Sequence, residues 1–132
     1  MLSGFAYDAY YNHSAQSAKN YFLVWDYAIN QGFAFGSGMG TNHHYGYQVR
    51  KIYTTAWLMR DAIWKAPNRD NILSALIFWS ALQETRIPFQ YGRDELLDSW
   101  HTLLMAKTVS ALLFVDERER ARAVSYTHLR AH

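Results

Sequence analysis

The sequence predicts an all-α chain built of antiparallel helical hairpins, and three observations carry that expectation. Apolar residues recur at helical spacing through most of the 132 residues, no segment shows the strict alternation of a half-buried strand, and the pattern lapses where residues that start or stop helices stand. The first helix is expected from Ser14 to Asn30, where Ala18, Phe22, Trp25 and Ile29 share one face and Gly32 follows as a stop. A second runs from Tyr47 to Ala66 on Ile52, Ala56, Met59 and Ile63, and ends at Pro67, which has no backbone donor to continue it. Asn68 caps a third, with Ile72, Ala75, Trp79 and Leu82 as its apolar stripe, broken at Ile87-Pro88. Asp94 starts a fourth, with Leu97, Trp100, Leu104, Ala111 and Val115 expected to face inward, and Asp116 opens a fifth, highly charged one over ERERARA.

The links at Pro67-Asn68 and around Pro88 to Arg93 are short, as between helices packed side by side. The connection from Gly32 to Tyr45 is longer and rich in glycine, the kind of loop on which a rigid scaffold carries function.

Composition narrows the function classes. Half of the chain is hydrophobic and 17% is aromatic, enough apolar surface for a core. Five Trp and ten Tyr suit a packed helical interior; flat rings also cover the apolar faces of sugars, so both readings of the aromatic excess stand. The net charge is +2 and the basic residues are scattered, which argues against a nucleic-acid face. Without cysteine there is no disulfide and no thiolate metal site. No apolar run is long enough for a membrane span, and no basic region followed by an apolar core marks a signal peptide.

The last residues break the pattern. AVSYTHLRAH shows no helical periodicity and resembles a translated sequencing-adapter tail, so residues 1–123 are taken as the domain and 124–132 as a non-native tail.

The stretch GSGMGTNHHYGY, residues 36 to 47, holds the candidate chemistry. Two adjacent imidazoles do not normally chelate one ion, and no HExxH pattern or carboxylate cluster lies near, so no metal is assigned. Asn42 or His43 as a simple helix cap is one reading. The other is that His43 and His44 reach into a cleft as hydrogen-bond donors or proton carriers, for which their ordinary pKa is suited.

GSGMGTNHHYGY followed by QVRKIYTTAWLMRDAI resembles the chondroitin ABC lyases, members of the glycosaminoglycan-lyase family. The matching positions are Gly36, Ser37, Thr41, His43, His44, Tyr45, Gly46 and Tyr47, then Arg50, Tyr53 and LMRDA at 58 to 62, and the likeness continues through ALIFWSALQE and LLMAKTVSALLFVDERERARAV. The resemblance implies part of an incomplete α/α toroid around a cleft for an acidic polysaccharide, chondroitin or dermatan sulfate. It implies β-elimination between hexosamine and uronate, and a secreted or periplasmic parent protein. The principal catalytic His, Tyr, Arg and Glu of the family belong to later segments, and no HxGNYxGY-like stretch occurs in this sequence. His43 and His44 are therefore expected as auxiliary catalytic groups, and Asn42, His43, His44, Tyr45 and Arg50 as substrate contacts. Arg50 either pairs with carboxylate or sulfate or is a solvated charge; Tyr45 stacks on a sugar or packs under the loop, and packing is favoured for Tyr47. No cofactor is expected in this stretch, and a divalent cation such as calcium is left open for a parent enzyme. The competing expectation is a non-catalytic helical carbohydrate-binding protein. An unrelated helical repeat would show a recurring sequence period, and there is none.

Overall fold

The computed structural model describes residues 1–31, 43–86 and 93–131, and among these every regular element is a helix. In chain order they are α1 Leu2–Asn12, α2 Ala15–Asn30, α3 His43–Leu58, α4 Arg60–Lys65, α5 Arg69–Arg86 and α6 Arg93–Ala131. The expected stop at Gly32, the glycine run at 36–40 and the Ile87-Pro88 break lie outside the described residues.

α1 was not anticipated. Its stripe of Leu2, Phe5, Ala6 and Ala9 packs on the core, with Ala6 fully buried. It pairs with α2 through a tight corner in which His13 adopts the left-handed conformation at φ 54 and ψ 36, and reverses the chain. Ser14 then caps α2, its Oγ accepting from the Ser17 backbone N–H at 3.1 Å. The buried Ser17 donates its hydroxyl to Asp8 of α1. Hydrogen bonds from Asn12 and Ser17 hold the Asp8 carboxyl below its ordinary pKa.

The expected stripe of α2 faces inward, with Trp25 fully buried and Ala18, Phe22 and Ile29 packed against the core. Tyr21, one turn before Trp25, is buried as well. The helix expected from Tyr47 to Ala66 begins earlier, at His43, and is interrupted at Met59. At the interruption the Arg60 guanidinium donates to the Trp57 carbonyl at 2.9 Å and lies 4.3 Å over the Trp57 ring, so a side chain supplies the donor to that carbonyl. α4 ends at Lys65, and Ala66 before Pro67 is extended, as a residue preceding proline should be. Asn68 precedes α5: its carbonyl accepts from the Ile72 N–H, and its side-chain amide donates to Asp26 of α2. Ile72, Ala75 and Trp79 are buried as expected, joined by Leu76.

α6 corrects the expectation twice. It is one helix from Arg93 to Ala131, with no break at Asp116, because neither Gly nor Pro occurs between those residues and the ERERARA run is rich in helix formers. It also carries the backbone of 124–131, where no periodicity was seen. Its inward face is the wrong one by the sequence reading. Thr102, Leu103, Ala106, Ser110 and Leu113 are buried, whereas Trp100, Leu104, Ala111 and Val115 are exposed, Leu104 by 58%. Both faces are apolar enough to serve, and the packing of α6 on α3 and α5 selected the one with smaller residues.

Candidate functional site

α3 is the element that places the candidate residues. It packs chiefly on α6 and also on α1, and buries Val49, Tyr53 and Ala56, with Met59 closing the row just beyond its end. Tyr53 belongs to this interior: its hydroxyl donates to the Leu76 carbonyl of α5, and its ring lies 5.8 Å from that of Trp79. Burial raises the pKa of the Tyr53 hydroxyl above its ordinary value, so it stays protonated.

His43 and His44 are the first two residues of α3, and Tyr45 is the third. Their side chains, and all of Asn42, lie outside the described residues. Two features follow from the backbone alone. The histidines occupy the first turn of a helix of 16 residues, the end where the peptide dipoles leave partial positive charge. Arg50 stands seven residues after His43, two turns along α3, and so on the same face about 10 Å further down the axis.

Arg50 is half-buried against α6, not a purely solvated charge. Its Nε donates to Thr102 Oγ1 at 2.9 Å. Its backbone carbonyl accepts from Thr54 Oγ1 at 2.9 Å, and Thr54 in turn touches Met105 Sδ at 3.6 Å. Thr102 was missed by the sequence reading: it stands 52 residues from Arg50, and nothing in the local pattern of either helix links them.

The charged segment of α6 binds the far end of the molecule. Glu117 Oε1 lies 3.0 Å from Arg69 Nε, while Arg120 pairs with Asp116 at 2.8 Å and with Asp61 of α4. Arg69 also lies 4.2 Å over the Trp64 ring and donates to the Trp64 carbonyl at 2.9 Å. The Arg120 hydrogen bond holds the Asp61 carboxyl below its ordinary pKa, whereas burial raises that of Glu117, partly offset by Arg69. This network joins α4, α5 and α6; it does not form a cation site. Among the described residues no three His, Asp or Glu side chains converge as metal ligands. No helix among the described residues is long and apolar enough to cross a membrane.

Comparison with known proteins adds what these described side chains lack. A family model described as "Lyase, catalytic" matches residues 1–128. The chondroitin sulfate ABC exolyase of Bacteroides thetaiotaomicron is 30% identical over 104 residues, covering 77% of this chain and 10% of that protein. The chondroitin sulfate ABC endolyase of Proteus vulgaris is 30% identical over 112 residues, covering 84% of this chain and 11% of that protein. The chain thus spans about a tenth of the length of these curated relatives. No solved structure matches it. With the match running through every helix from α1 to α6, the chain belongs to the lyase catalytic-domain family and is a chondroitin-lyase-like section of it.

Proposed function

We propose that this chain is a section of a longer lyase that cleaves chondroitin or dermatan sulfate between hexosamine and uronate by β-elimination. The observation that carries the reading is the family match over residues 1–128 together with the likeness to two chondroitin ABC lyases. In such a protein the helices form part of an incomplete α/α toroid, and Asn42, His43, His44, Tyr45 and Arg50 border the cleft. A polymeric, acidic substrate places the whole protein outside the cytoplasm, in the periplasm or secreted.

The chemistry sets the requirements. A base takes the proton from C5 of the uronate, the C4–O bond breaks, a C4–C5 double bond forms, and the departing oxygen receives a proton. The C5 proton is weakly acidic because its removal adds charge beside a carboxylate already negative, so that carboxylate must be neutralised. Arg50 supplies a fixed positive charge with the planar fork suited to carboxylate or sulfate. His43 and His44, at the positive end of α3, serve as auxiliary donors or proton carriers for one of the two C5 epimers. The main base and acid belong to segments outside this chain.

The test is a pair of variants in the complete lyase. His43→Ala or His44→Ala is expected to lower turnover on at least one of chondroitin and dermatan sulfate by about ten- to a hundredfold, the size of one lost hydrogen bond to a charged group that tightens in the transition state. Helical content stays the same. A structural histidine would lower the melting midpoint and affect both polymers alike. Unchanged turnover on both, with unchanged melting, removes the pair from the mechanism.

A further inference from the structure

Thr102 is a polar residue in an apolar row. It lies 1% exposed on the inward face of α6 beside Leu103 and Ala106, where a valine of the same shape would avoid the desolvation of a hydroxyl. Its hydroxyl also takes part in a bond between two helices. Thr54, Thr55 and Thr108 each donate to a carbonyl one turn back in their own helix, at 2.9, 2.6 and 2.7 Å. Thr102 accepts from a cation on another helix, Arg50 Nε at 2.9 Å.

That bond has a geometric consequence. Nε, Cζ and both Nη atoms of a guanidinium are coplanar, so fixing Nε against an acceptor fixes the plane and direction of the whole fork. The acceptor is itself held, because a β-branched side chain buried in a helix has few rotamers. We propose that Thr102 is a positioning residue: it orients Arg50 for an acidic group of the polysaccharide, a uronate carboxylate or a sulfate. This rests on the reading of Arg50 as a substrate contact. An arginine held in one plane loses less freedom when it meets a planar or tetrahedral oxyanion than one that must first be ordered.

The experiment compares Thr102→Val, Thr102→Ser, Arg50→Ala and the double variant Thr102→Val/Arg50→Ala in the complete lyase, on chondroitin sulfate and on chemically desulfated chondroitin. Arg50→Ala is expected to impair cleavage. Thr102→Val is expected to raise KM about tenfold with a smaller change in kcat, the scale of one ordinary hydrogen bond. Thr102→Ser, which keeps the acceptor, restores most of the affinity, and Thr102→Val adds nothing once Arg50 is alanine. A penalty confined to the sulfated polymer assigns the oxyanion as sulfate, and one common to both assigns the carboxylate. If Arg50→Ala impairs cleavage while Thr102→Val and Thr102→Ser both match the wild type, the positioning role is overturned and the substrate role of Arg50 survives. If Arg50→Ala itself is silent, the reading beneath it fails. Should Thr102→Val not fold, Thr102→Ala with Thr102→Ser gives the same contrast, since only the serine retains an acceptor; equal KM values for the two overturn the proposal.

Discussion

Tyr53 matches a position in the lyase-like motif, yet its surroundings are those of a core residue. Its hydroxyl donates to the Leu76 carbonyl, which lies inside α5, and its ring meets Trp79. Tyr53→Phe keeps the ring and removes one bond, so it is expected to lower stability by about 1 kcal/mol, a few degrees in the melting midpoint, without altering substrate preference. Melting curves and turnover on two epimeric polymers check this together. Arg50 illustrates the opposite case: a residue read from sequence either as an oxyanion contact or as a solvated charge on a helix face is half-buried and tied to α6. In both cases the side chain's type was legible in the sequence, and its partner, 23 or 52 residues away, was not.

At the scale of elements, the charged half of α6 does more than solubilise. Arg120 joins Asp116 one turn back and Asp61 on α4, and Glu117 meets Arg69 at the start of α5. The two carboxylates respond to pH in opposite senses. Asp61 has a folded pKa below its ordinary 3.8, so its contribution is present above that value and is lost as pH falls through the folded pKa. Glu117 has a folded pKa above its ordinary 4.5, so its contribution is full below that value and is lost as pH rises through the folded pKa. Arg120→Ala is therefore expected to lower stability at neutral pH by at most about 1 kcal/mol, since Asp61 is largely exposed and the pair is screened by solvent. The difference from wild type should shrink below about pH 3.8 and in high salt. Glu117→Gln, by the opposite sign, should leave stability at neutral pH unchanged or slightly raised, with no effect once the wild-type acid is protonated. Thermal melting of the three proteins from pH 7 to pH 3 reads both; a constant gap for Arg120→Ala across that range would count against the network.

At the scale of the molecule, α6 presents apolar residues on the side away from α3 and α5: Trp100, Leu104, Leu112 and Val115 are all exposed. A helix apolar on both faces suits the middle of a stack, and the chain covers only about a tenth of its curated relatives' length. The 132-residue chain alone is thus expected to show a mainly helical circular dichroism spectrum, to bind a dye specific for apolar surface, and to melt with low cooperativity. Strong dye-free cooperative unfolding would argue that this face needs no cover.

Helix identity was determined by the sequence itself. The stripes of α2 and α5, the Ser14 cap and the end at Pro67 follow from local spacing and backbone chemistry, which act over a turn or two and need no distant partner. The loop motif likewise carried the family likeness that the comparisons bear out. Three things were decided only in three dimensions. Which of two apolar faces of α6 turns inward depends on the shape of α3 and α5, to which a period of 3.6 is blind. The interruption at Met59, beside which Arg60 donates to the Trp57 carbonyl, falls in a stretch whose apolar spacing reads as one continuous helix. Thr102 meets Arg50 because packing brings α3 and α6 together, and a hydrogen bond across 52 residues leaves no mark in the local sequence of either helix.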